Sequence, residues 1–88
     1  MLNKKQLAAI TILVKDRQKH SNEVQRILTD SGHLIMARLG VNLQRACVEN
    51  CAGLIVIAVE GTKKEINDLT KKLNKLYGIV AKANIMTD

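Results

Sequence analysis

The chain has 88 residues, 14 Lys and Arg against 8 Asp and Glu for a formal net charge of +6, two Cys, one Tyr, and no Pro, Phe or Trp. That length supports one domain, residues 1–88, near the small end of what sustains a single core, and the core has to be aliphatic. Two cysteines exclude a disulfide-dense scaffold, and no stretch approaches the roughly 20 apolar residues of a membrane-crossing helix, so the expectation is a cytoplasmic protein with no secretory leader and both thiols reduced.

Taken in chain order, residues 7–15 predict a strand, in which Ile10, Ile12 and Val14 alternate with Ala9, Thr11 and Leu13. Both sets are largely apolar, as in an interior strand. Asp16 to His20 reads as a polar loop, with Ser21 as the candidate N-cap of a helix that places Val24, Ile27 and Leu28 on one side. The helix is expected to end near Ser31 and Gly32. Residues 33–40 predict a second strand carrying Arg38, and residues 41–52 an irregular connection that is long for a hairpin.

Residues 53–60, Gly-Leu-Ile-Val-Ile-Ala-Val-Glu, form the most apolar run of the chain and predict a central strand. Thr62-Lys63-Lys64-Glu65 has the pattern of a capping box, and Ile66, Leu69, Leu73 and Leu76 follow as a helical stripe. Gly78 supplies a stop, and residues 79–86 predict the last strand, with Ile79, Ala81, Ala83 and Ile85 on one face.

The order βαββαβ is that of two split βαβ units. With right-handed crossovers it predicts an α+β, ferredoxin-like fold: a four-stranded antiparallel sheet in the order 4-1-3-2, with both helices on one face. The other face then receives alternate residues of the central strands, either Ala9, Thr11 and Leu13 with Leu54, Val56 and Ala58 or their neighbours. Each set is too apolar for water alone. A homodimer or homotetramer that covers this face, or extends the sheet at an edge, is therefore expected.

The same topology gathers the chemistry-bearing residues at one end of the sheet. Asp16, Arg17 and His20 lie where the first strand meets the first helix, a place suited to an anion or a small ligand. Cys47 and Cys51 belong to the same end, so Cys47, Cys51 and His20 form a candidate metal set whose fourth ligand comes from another subunit or water. His33 starts the second strand at the opposite end and cannot join them. Two plain loop thiols, or a redox pair, are the other readings of Cys47 and Cys51.

No nucleophile, acid-base pair or glycine-rich phosphate loop is legible, so no enzyme and no cofactor is expected. The positive charge invites a nucleic-acid reading. Lys63, Lys64, Lys71, Lys72 and Lys75, however, are interspersed with Glu65 and Asp68 on one helix, as on a solvated face. One aromatic residue gives no stacking platform, so direct nucleic-acid binding is not expected.

Arg38-Leu39-Gly40, then Ile66, Leu69-Thr70, Lys72-Leu73, Leu76, Gly78-Ile79 and Lys82, together with Val14-Lys15-Asp16-Arg17, resemble the small stand-alone ACT-like proteins known as iron-only hydrogenase system regulators. The resemblance covers nearly the whole chain and implies a ferredoxin-like fold, oligomeric assembly and a regulatory role. The fold it implies is similar to the C-terminal domain of the nickel-responsive repressor, but Gly40-Val41-Asn42-Leu43 stands where that family has its His-x-His pair. The nickel site does not carry over. Nor does the Asp-Arg-Pro-Gly loop of amino-acid-binding ACT domains, since Gln18-Lys19 follows Asp16-Arg17. The expected function is a non-enzymatic, oligomeric regulatory module sensing a small ligand at the first strand-helix loop, with a metal sensor built on Cys47, Cys51 and His20 across subunits as the alternative.

Overall fold

The computed structural model describes residues 4–42 and 51–87. Its elements are β1 (Gln6–Val14), α1 (Arg17–Asp30), a short 3-10 turn (Gly32–Leu34), β2 (Ile35–Asn42), β3 (Gly53–Gly61), α2 (Lys63–Asn74) and β4 (Ile79–Ile85). The strands form one antiparallel sheet in the order β2-β3-β1-β4, the expected arrangement counted from the other edge.

Alternation decides which face is which. Ile10 and Ile12 of β1 stand opposite Ile57 and Ile55 of β3, and opposite Ala83 and Ala81 of β4. With Ala8, Val14, Val59 and Ile79 they make the inner layer of the core. Val24 and Leu28 of α1 and Ile66, Leu69 and Leu73 of α2 close over it. Ile10, Ile12, Ile57, Ile66 and Leu73 are each completely buried, which leaves the core without an aromatic anchor and dependent on close packing of branched side chains.

The opposite face carries the other set. Across its middle run Leu39, Val56, Thr11 and Lys82, followed toward the β1 C-terminus by Leu54, Leu13 and Val80. An irregularity in the β2–β3 register between Ile35 and Ala37 makes Met36 an extra residue. It switches the side-chain phase of β2, so that Ile35 faces the core while Leu39, 62% exposed, joins the open face.

Several boundaries differ from the sequence expectation, each for a local reason. Helix α1 begins at Arg17, not after Ser21. Asp16 occupies the cap position: its carbonyl accepts from the His20 amide at 3.0 Å and its carboxylate lies 3.4 Å from the Lys19 amide. The residues read as a polar loop are thus the cap and first turn of the helix. The 3-10 turn takes residues 32–34, so β2 starts two residues late and runs on to Asn42. Helix α2 ends at Asn74, and Gly78 serves the turn into β4.

Side chains close the ends that the backbone leaves open. The Asn74 amide donates to the Ala81 carbonyl at 2.8 Å and its oxygen accepts from the Ala81 N–H at 2.7 Å, so a helix side chain occupies a strand's place beside β4. Thr87 accepts from the Leu7 amide at 2.8 Å and donates to the Gln6 side chain at 2.9 Å, which satisfies a glutamine only 4% exposed. The capping box forms as expected: the Thr62 hydroxyl accepts from the Glu65 amide, and the Thr62 amide donates to the Glu65 carboxylate at 2.8 Å.

Two tests follow from these contacts. Ile57→Ala is expected to cost about 2–5 kcal/mol and Thr62→Ala ~1 kcal/mol in urea denaturation, because one leaves a central cavity and the other an unsatisfied helix amide. The hydrogen bond from the Thr62 backbone holds the Glu65 carboxyl below its ordinary 4.5, helped by the Thr62 hydroxyl and by the charges of His33 and Lys5. A carboxyl depressed on folding stabilises above its unfolded value and loses that contribution as pH falls through the folded one. The stability gap between the wild type and Glu65→Gln is therefore expected to narrow on acidification below pH 4.5.

Candidate functional site

The end of the sheet where β1 stops is where the structure concentrates its polar chemistry. Val14 is flanked by Gly53 at the start of β3 and by Ile79 at the start of β4, so three strand ends and the start of α1 converge. The pairing of β1 with β4 extends one step further, because the Lys15 amide donates to the Gly78 carbonyl at 2.9 Å. That bond ties the exit of β1 to the turn that enters β4.

The first turn of α1 packs against the same turn. His20 meets Tyr77 edge to face, with ring centroids 5.7 Å apart and planes at 65°. Gly78 is in the left-handed region at φ 76°, and a Cβ built there would lie 2.8 Å from His20 Cδ2. Only glycine meets both demands, since any other residue adds conformational strain to a collision with the imidazole.

Between these pieces lies a cavity of about 410 Å³ lined by Lys15, Asp16, Lys19, His20, Tyr77 and Gly78. That is within the range of roughly 300–1,000 Å³ common for small-molecule sites. Its wall is about equally polar and apolar. Two lysines, a histidine, a tyrosine and one aspartate contribute to it, and Tyr77 is 87% exposed.

Of the residues singled out from the sequence, Asp16 and His20 line this cavity. Arg17 begins α1, and only its backbone is among the described parts. Cys51 stands at the same end, two residues before β3, but it is fully buried and disulfide-bonded, contrary to the expectation of a reduced thiol. Cys47 lies outside the described residues. His33 is at the far end, where its charge acts on Glu65. Among the described residues no three His, Cys, Asp or Glu side chains converge in a way that could hold a metal ion.

Sequence reasoning passed over Lys15, Lys19, Tyr77 and Gly78 as parts of the site. A signal for them existed. The order 4-1-3-2 puts the fourth strand beside the first, so the turn preceding residue 79 had to lie against the exit of residues 7–15. The chain's sole aromatic residue is in that turn.

Comparison with known proteins sets this geometry in a family. The solved structure of the uncharacterized protein TM1266 from Thermotoga maritima superposes with a TM-score of 0.84 at 25% identity, covering 96% of this chain and 100% of that one. The ACT domain of GTP pyrophosphokinase from Chlorobium tepidum matches with a TM-score of 0.69 at 15% identity, over 92% of this chain and 100% of that one. A PII-like signaling protein from Thermus thermophilus gives 0.66 at 10% identity, over 98% and 91%. At these two lower identities the likeness concerns the fold alone. No curated protein sequence matches the chain. The family model described as "TM1266-like: Iron-only hydrogenase system regulator, putative" matches residues 6–83, nearly the whole domain including the pocket, and the chain belongs to that family.

Proposed function

We propose that the chain is a non-enzymatic regulatory module that works as a homo-oligomer and senses a small ligand in the pocket between the start of α1 and the turn before β4. The observation that carries this reading is the pocket itself, in which Lys15, Lys19, His20 and Tyr77 converge from two separate segments of the chain. Membership of a family of regulators supports it.

Self-association is supported by the open face of the sheet. Leu39, Val56, Leu54, Leu13 and Val80 are contiguous across four strands and no helix among the described residues covers them. Burying a fully exposed side chain of this kind contributes roughly 1.5–3 kcal/mol, which Leu39 approaches, whereas Leu54, Val56, Leu13 and Val80 are already largely covered and contribute a fraction of it. A second copy offering the same patch through a two-fold interface doubles the apolar area removed from water, to be set against an association cost of about 4–15 kcal/mol. Lys82 and Thr11 in the middle row are the polar interruptions of this patch.

A second reading, a metal sensor using Cys47, Cys51 and His20 of different subunits, is favoured by the presence of His20 and Cys51 at one end of the sheet. It requires the Cys51 disulfide to be reduced first.

Native mass spectrometry separates these readings. The wild type is expected as a dimer or tetramer at micromolar concentration. Leu39→Glu, which changes a residue already 62% exposed, is expected to fold and run as the monomer. A monomeric wild type would contradict the assembly. Zinc retained by the reduced protein, and lost in Cys51→Ser, would transfer the function to the metal reading.

A further inference from the structure

Resting on the reading of the pocket as the sensing site, we propose its ligand class: a small molecule in which a flat ring carries an anionic group, either phosphate or carboxylate. Tyr77 is the starting point. It is the sole aromatic side chain of the protein, and it is left 87% exposed while the core is filled with aliphatic residues. A singly exposed tyrosine is ordinary by itself; what gives this one weight is its place on the wall of the recess beside Lys15, Lys19 and His20.

The turn that carries the ring is bonded to the exit of β1 through the Lys15 amide and the Gly78 carbonyl, and His20 meets the ring edge to face on one side. The rest of the side chain is open, and an exposed aromatic face at the rim of the recess is a stacking surface for a flat ligand.

Charge decides what the flat ligand carries. Lys15 and Lys19 bring two ammonium groups to the same wall, and Asp16 is the single carboxylate among the described residues lining it. The Asp16 carboxylate faces the helix, 3.4 Å from the Lys19 amide, as expected of a capping residue. The excess of cations disfavours a cationic ligand and leaves no second carboxylate on this wall for the ammonium of a zwitterion. The cavity, about 410 Å³, holds a ring and an anionic group together. Ammonium groups accept phosphate and carboxylate alike, so the shared chemistry is an anion placed at the lysines with its ring over Tyr77.

The test is a set of NMR titrations of the intact protein, read on the ring resonances of Tyr77 and His20. The chain has one tyrosine and two histidines, so these signals are few and assignable. Four probes are used: adenosine monophosphate, indole-3-acetate, adenosine and inorganic phosphate. Saturable shifts of both rings are expected with the monophosphate, the carboxylate or both, which identifies the anion. Adenosine and phosphate alone are expected to bind at least tenfold more weakly. Tyr77→Ala, and separately Lys15→Ala with Lys19→Ala, are expected to lose at least tenfold in affinity; all three positions are exposed, so the fold is retained.

Inorganic phosphate binding as tightly as the ring-bearing probes would overturn the ligand class while leaving the pocket as the sensing site. Binding that shifts other residues and spares Tyr77 and His20 would overturn the site as well. No response to either ring-bearing anion at 10 mM, about 2.7 kcal/mol of affinity at 1 M standard state, would overturn the proposal.

Discussion

Two central strands that are apolar on both faces, with helices available for only one, set the conditions for this molecule. The helix-facing set, Ile10, Ile12, Ile57 and Val59, is buried outright and supplies the core of a domain that has no aromatic residue to contribute bulk. The outward set, Leu13, Leu54 and Val56, is partly covered by its neighbours in the sheet and by no helix among the described residues. That leftover apolar surface, with Leu39 62% exposed beside it, is what the proposed assembly would cover.

The sheet order also builds the pocket. Because β4 lies beside β1, the turn entering β4 is brought against the first turn of α1, and residues nearly sixty positions apart in sequence, Lys19 and Tyr77 among them, line one recess. The structural elements that create the open face therefore create the site as well. In the proposed assembly, a partner at the sheet and an occupant in the pocket would both act on β1, whose outward residues lie on the open face and whose C-terminal end leads to Lys15. That shared strand would give a physical route by which binding at one place biases the other.

Strand order and the capping box at Thr62 were legible in the sequence, one from the order of elements with right-handed crossovers and the other from a specific side-chain pattern. The choice of helix-covered face was left open, because both alternating sets of the central strands are apolar. The start of α1 was not legible. Its first turn, Arg17 to His20, presents no apolar residue, and Ser21 imitates a cap more convincingly than Asp16 does. The bulge at Met36 was also hidden, since the alternation of Ile35, Ala37 and Leu39 reads equally well as a regular strand; only pairing with β3 reveals that Leu39 has changed sides. For the site, Asp16 and His20 were found by proximity in sequence. Lys15, Lys19 and Tyr77 required the neighbouring strand to be taken into account. The bond at Cys51 had no signature in the sequence, where two ordinary loop thiols were the leading reading ahead of a metal set or a redox pair.

The claim on which the rest depends is that the open face of the sheet is covered in solution. It is tested most directly by paramagnetic relaxation of methyl resonances with a neutral, soluble gadolinium complex. The methyl groups of Leu39, 62% exposed in the single chain, are expected to be protected nearly as well as those of Ile10 and Ile57, while Met86, 67% exposed and beyond the end of β4, is bleached. Bleaching of Leu39 to the extent seen at Met86 would show the face bare to water and contradict the account.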